Sequence, residues 1–433
     1  MSFVVHPARF PEWAKDLPEG WRSDWVKWAV AFASTKRDAL EDDEAEALPY
    51  ISNEDIASWT GQLLKENPEP ADKEGRVFQR DDVLFNKLRP YLAKVWLAEF
   101  DGISSGELLN LRASGAVHPR FLFYVASSSA FIDTINAETF GTKMPRADWE
   151  TVGHQPLPLP DLDTQQRIAR FLDDKTARIA ALIEKKQALL DRLAEKRQTL
   201  ITRAVTRGLD PAVPTKDSGI DWLGKVPAHW EFRKLYRITN IYRQIRYGIV
   251  LPGPDFPGGI PIIKGGDVKP DRLFADLLNR TDPEIEAGYA KSRMKAGEIV
   301  FSIRGSYGDV EIVPDELDGC NLTQDTARIS PEKGFDTGWL LFALKSGVTR
   351  LHLEARALGS TITGINIFDL RRLPLPVPPS DEQRQIGNYL HEETGKLDEA
   401  AQKCQLSMEK LQEYRAALVT SAVTGKIAAL LDG

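Results

Sequence analysis

Cationic, aromatic and hydroxyl side chains recur in this chain on short stretches rich in glycine and proline. FNKLRPYLAKV (residues 85–95) interleaves Lys87, Arg89 and Lys94 with Tyr91, and GTKMPRADW (residues 141–149) offers Lys143 and Arg146. Further along, IIKGGDV presents Lys264, IRGSYGD presents Arg304 and Tyr307, and GSTITGIN presents Thr361. Cations and hydroxyls on such loops suit phosphate contacts and hydrogen bonds to base edges. The plainer reading is that these are ordinary loop charges and that Tyr91 and Tyr307 simply pack.

Signatures of catalysis are missing. GIDWLGK (residues 219–225) matches the glycine and lysine spacing of a phosphate-binding loop, but Val226 stands where a Ser or Thr hydroxyl must hold magnesium. The match reads as coincidence. The sequence has no HExxH, no Cys-His metal spacing, no GxSxG and no Asn/Asp-Pro-Pro-aromatic tetrapeptide. Its six histidines, at 6, 118, 154, 229, 352 and 391, form no i, i+4 pair. The expectation is a chain with no catalytic residue, no metal site and no cofactor of its own.

The elements that must position these loops come from a repeat. LPLPDLDTQQRIARFL, beginning at Leu157, aligns with LPLPVPPSDEQRQIGNYL, beginning at Leu373, after one small gap. Past the gap the offset is a constant 218 residues, carrying Ile168 to Ile386, Leu172 to Leu390 and Leu200 to Leu418. TRAVT (residues 202–206) answers TSAVT (residues 420–424), Pro18 and Trp21 answer Pro227 and Trp230, and residues 82–85 answer residues 298–301. The chain is two copies of one unit, each a globular block followed by a helix.

Both tails read as long helices. Pro158 and Pro160, and Pro374, Pro376, Pro378 and Pro379, fix extended entries. Asp163 or Thr164, and Ser380 or Asp381, are the N-cap candidates, with Gln383 completing a capping box. An apolar stripe runs through Ile179, Leu182, Leu189, Leu193 and Leu200, and in the second copy through Leu397, Ala400, Cys404, Leu411 and Leu418. Its three-and-four spacing is a seam for another helix. QQRIARFL is one residue shorter between Gln-Arg and the aromatic-Leu pair than EQRQIGNYL, which predicts unequal registers near the helix starts. Residues 164–208 carry 11 Lys plus Arg against 5 Asp plus Glu, and residues 380–433 carry 6 against 9. The two helices therefore attract each other. The blocks themselves read as α+β, with strands near residues 83–85, 298–303 and 309–313 and helices over 119–136 and 337–358. Residues 208–230 read as a linker.

Composition bounds the class. The 433 residues are 42% hydrophobic and 27% charged, ordinary for a multi-domain globular protein. Two cysteines, Cys320 and Cys404, cannot make a disulfide framework, and neither a signal-peptide pattern nor an apolar run of about 18 residues occurs. The expectation is a cytoplasmic protein with no membrane contact. A net charge of -7 excludes a uniformly basic nucleic-acid binder but not a local basic patch. The acidic run DALEDDEAE (residues 38–46) reads as a solvated face.

Along nearly its whole length the chain resembles the specificity (S) subunit of Type I restriction-modification systems. The resemblance rests on the LPLP…QR…FL helix entries, the TRAVTRG and TSAVTGK exits, and KDSGIDWLGKVPAHW between the copies. It implies target-recognition domains at residues 1–156 and, after the linker, within 208–372. Residues 157–207 and 373–433 would be central helical regions forming an antiparallel coiled coil. It further implies double-stranded DNA as ligand and a bipartite asymmetric target. The implied partners are two methyltransferase subunits using S-adenosylmethionine to methylate adenine, and restriction-translocation subunits using ATP and magnesium. Two other readings stand beside it: a nuclease or methyltransferase with an unrecognised site, and a coiled-coil scaffold that does not touch DNA.

Overall fold

The computed structural model of the chain describes residues 10–41, 47–66, 68–70, 74–139, 144–220, 222–305, 308–356 and 364–430. The chain divides into two units, residues 1–186 with 406–433, and residues 187–405. Each is built on a four-stranded antiparallel sheet. In unit 1 the strands are β1 (Val30–Phe32), β2 (Val83–Asn86), β3 (Val95–Leu97) and β4 (Leu108–Ala113), in spatial order β1-β4-β2-β3. In unit 2 they are β5 (Arg246–Tyr247), β6 (Ile299–Ser302), β7 (Val310–Ile312) and β8 (Thr326–Ile329), in the equivalent order β5-β8-β6-β7.

Both sheet faces are covered, which is why β2 and β6 are apolar runs rather than alternating ones. Val83 and Phe85 meet Phe121 of α1 (Pro119–Ala126) and Phe131 of α2 (Ser129–Glu138), whereas Leu84 turns the other way to Trp96 and Phe78. In unit 2, Ile299 and Phe301 meet Trp339 of α4 (Thr337–Lys345), and Val300 faces Met294 and Leu322. The single helices expected over 119–136 and 337–358 are each broken once. Ser128 caps α2 by accepting the Phe131 N–H at 3.3 Å, and Ser346 caps α5 (Gly347–Glu354) by accepting the Thr349 N–H at 3.4 Å.

The long helices are α3 (Leu162–Arg207, 46 residues) and α6 (Ser380–Val423, 44 residues). Each begins in one unit and ends in the other. In unit 1, Ile168 and Leu172 near the start of α3 share a core with Val419, Ala422 and Val423 at the end of α6. In unit 2, Ile201 and Val205 at the end of α3 share one with Ile386 and Leu390 at the start of α6. The pair is therefore an antiparallel coiled coil, and its seam corrects the sequence reading. Ile179 is buried and Leu193, Leu200, Leu397, Leu411 and Leu418 are half-buried, but Leu182 and Leu189 are each 47% exposed. Ile183 and Leu190, one residue further on, are half-buried in their place, and on α6 the exposed Ala400 gives way to Ala401. Either choice keeps a 3.5-residue repeat from Ile179, and it is the exposure of Leu182 and Leu189 that decides between them.

The helix entries need correction too. Strand Arg22–Trp25 pairs with Pro156–Leu159, and Glu231–Lys234 pairs with Pro374–Val377, so Pro156 matches Pro374 and the 218-residue offset starts there without a gap. Gln165 and Gln383 then do the same job. Their side-chain N–H groups donate to the carbonyls of Pro160 (2.9 Å) and Pro378 (2.8 Å), and their oxygens accept from the N–H groups of His118 (2.8 Å) and Asp336 (2.9 Å). Gln383 is thus no capping-box residue, and the registers are equal. The cap of α3 is Asp161, which accepts the Thr164 N–H at 2.9 Å, rather than Asp163 or Thr164.

The Pro-x-x-Trp echoes seat on the helix exits. Gly208 (φ +74°) follows α3 and Gly425 (φ +71°) follows α6. A Cβ on Gly208 would lie 3.3 Å from the Trp230 ring, and one on Gly425 2.3 Å from the Pro18 ring. The linker over 208–230 contains an ordered hairpin, Thr215–Asp217 against Lys225–Pro227, with Lys216 Nζ donating to the Trp230 carbonyl at 2.5 Å. GIDWLGK ends on Lys225, the first residue of its second strand. Among the described residues no helix is long and apolar enough to cross a membrane.

Candidate nucleic-acid interface

At one end of the two central strands of each four-stranded sheet the same backbone frame recurs. In unit 1 the Lys87 N–H donates to the Glu107 carbonyl (3.0 Å), the Ala147 N–H donates to the Lys87 carbonyl (2.9 Å), and Leu88 bridges Arg146. In unit 2 the Ile303 N–H donates to the Asp325 carbonyl (2.8 Å), the Ile365 N–H donates to the Ile303 carbonyl (2.8 Å), and Arg304 bridges Gly364. The preceding side chain closes the turn in both: Asn86 Nδ2 donates to Leu88 O (2.6 Å) and Ser302 Oγ to Arg304 O (3.2 Å). Backbone supplies the shared frame, so the side chains it presents are free to differ.

They do differ. In unit 1 the half-buried Lys87 lies near Arg76 and Arg146. Burial, reinforced by those two guanidiniums, pulls its ammonium below the usual lysine range against the attraction of Glu107. Arg146 itself forks onto Glu107 (2.7 and 2.8 Å). Arg89 is exposed on a left-handed backbone (φ 51°), its N–H donating to the Pro145 carbonyl at 2.8 Å. Lys94 stands apart from this group, with Nζ donating to the Asn53 carbonyl at 2.7 Å and tying down the neighbouring loop. Lys143 lies outside the described residues.

In unit 2 the frame opens onto a cleft of about 1060 Å³ lined by Tyr247, Lys264, Arg304, Gln324, Asp325 and Asn366, among others. Lys264 Nζ donates to Asn279 Oδ1 at 3.0 Å, while Arg304 is exposed and makes no ion pair among the described residues. The approach of the Lys264 segment depends on glycine: a Cβ on Gly265 would sit 2.8 Å from the Arg304 carbonyl. Tyr307 and Thr361 lie outside the described residues. Sequence reading missed Arg76 and Gln324, which come from segments it had not singled out, and passed over Asn366 at the end of GSTITGIN in favour of Thr361. The frame pairs the residues that directly follow β2 and β6 with partners that only the fold brings close.

The sequence profile described as Type I restriction modification DNA specificity domain matches residues 33–192 and 227–403. The chain belongs to this family. Its specificity domain occurs twice, once with each copy of the frame. The chain is 24% identical over 361 residues to the Type I restriction enzyme EcoBI specificity subunit of Escherichia coli, covering 82% of this chain and 76% of that one. It is 22% identical over 420 residues to the MjaVIII specificity subunit of Methanocaldococcus jannaschii, covering 95% and 94%. In fold it is similar to a chain solved to explain complex assembly and conformational transition of the type I R-M system, with TM-score 0.75, 22% identity and coverage of 95% and 100%. It is also similar to the HsdS subunit of Thermoanaerobacter tengcongensis, with TM-score 0.53, 21% identity and coverage of 95% and 98%. This Type I specificity subunit thus has two target-recognition domains joined by two long helices.

Proposed function

We propose that this specificity subunit reads a bipartite, asymmetric DNA target, one half-site per unit, and delivers it to partner enzymes without a catalytic centre of its own. One observation carries the reading: the two units present different side chains on one backbone frame, Lys87, Arg89 and Arg146 in the first and Arg304, Gln324 and Asn366 in the second. A shared frame gives both heads the same way of meeting a duplex, and different side chains give them different sequences to accept. The partners are two methyltransferase subunits, which bring S-adenosylmethionine and methylate adenine, and restriction-translocation subunits, which bring ATP and magnesium. The complex works in the cytoplasm. Mapping adenine methylation genome-wide in cells expressing the chain with its methyltransferase partner tests this. A single two-part motif is expected, and a one-part motif overturns the reading. Turnover by the purified chain alone with DNA, magnesium and S-adenosylmethionine would show it to be an enzyme instead.

A further inference from the structure

We infer that Gln324 reads an adenine in the half-site recognised by unit 2. The inference rests on the proposed DNA reading and concerns what the cleft of unit 2 selects. Two of the polar side chains in that cleft are already committed. Lys264 Nζ is held by Asn279, and Asn366 Oδ1 accepts the Phe368 N–H at 2.9 Å as a helix cap. Gln324 is half-buried on the cleft wall, and its carboxamide makes no hydrogen bond among the described residues.

Its backbone, by contrast, is fixed on every side. The Gln324 N–H donates to the Ile249 carbonyl (2.9 Å), and the preceding Thr323 N–H donates to the Ile263 carbonyl (3.1 Å). The following Asp325 carbonyl accepts from both Ile303 (2.8 Å) and Arg304 (3.2 Å). Gly248 seats this segment: a Cβ there would lie 1.9 Å from the Leu322 carbonyl. A rigid backbone holds the base of this side chain in place, so contact with a partner need order only the side chain itself, whose amide has no competing partner among the described residues. The cleft's charge decides what that partner is. Asp325 stands beside Arg304, so a phosphate entering there meets repulsion as well as attraction, whereas a base edge finds both donors and acceptors. Among base edges in the major groove, a carboxamide pairs in bidentate fashion with adenine N6 and N7.

The test is selection of duplexes from a random library by the full chain assembled with its methyltransferase subunits, comparing wild type, Gln324→Ala and Gln324→Glu. At one adenine of the unit-2 half-site, Gln324→Ala should lower discrimination by about tenfold or more, while the other half-site keeps its preferences and serves as the folding control. Gln324→Glu, now only an acceptor, should favour cytosine there. Unchanged base preferences in both variants, uniform weakening, or a change at a position that is not adenine overturns the assignment. Failure of the wild type to enrich any two-part sequence would instead overturn the DNA reading beneath it.

Discussion

Lys87 shows how a residue's surroundings decide what it can contribute. Burial beside Arg76 and Arg146 holds its ammonium below the usual lysine range, so a phosphate arriving there relieves a strained cluster. Lys87→Ala should weaken binding to all duplexes alike and flatten the slope of log affinity against log salt by about one, as measured by titration at several salt concentrations. An unaltered slope would remove Lys87 from the interface. Glu298 makes the opposite case, a charge that serves folding. Burial pushes its carboxyl up, but bonds from Arg243 (2.7 Å to Oε2), Ser330 and the Lys295 N–H (2.8 Å) more than compensate, so its folded pKa lies below the ordinary glutamate value. A lowered carboxylate pKa stabilises fully above the unfolded value, and that contribution is lost as pH falls through the folded one. Glu298→Gln should therefore destabilise unit 2 by about 3 kcal/mol at neutral pH. Its melting temperature should fall less than wild type's on acidification from pH 7 to pH 4.

Among the elements, the coiled coil supplies the sharpest contrast. Ile179→Ala should cost about 2–4 kcal/mol, because its side chain is buried, whereas Leu182→Ala and Leu189→Ala should each cost less than about 1 kcal/mol. Denaturant titration checks the order, and equal losses would restore the seam read from sequence. That reading found both helices and, past a gap the structure removes, the 218-residue offset, because proline entries and apolar period are local signals. It misplaced the seam by one residue because Leu182 and Ile183, like Leu189 and Leu190, are adjacent apolar pairs, and periodicity cannot choose between them without the partner. It missed the equivalence of Gln165 and Gln383 for a related reason. Their partners, His118 and Asp336, lie 47 residues upstream, and only folding brings them together. The basic loops were legible as chemistry, yet Lys94 turned out to hold a neighbouring carbonyl, a distinction that depends on which way a side chain points.

For the whole molecule, the two heads and the two helices should answer to different experiments. Replacing residues 1–156 by the first domain of another family member should change one half-site and leave the other as it was, which a methylation map would show directly. Adding one heptad to both α3 and α6 keeps the seam in register and lengthens each helix by about 10 Å. The unread spacer should then grow by about three base pairs, since the duplex rises about 3.4 Å per pair. An unchanged spacer would mean the helices do not set it.

The frame around Lys87 and Ile303 also bears on heredity. Its bonds run between peptide groups, so an altered side chain at a presenting position leaves them in place. Variants at Arg89, Arg304 or Gln324 need not pass through a poorly folded ancestor on the way to a new target. Either half of the gene can drift separately, and a lineage can acquire a different recognition sequence by a few point changes in one half while the other keeps its own.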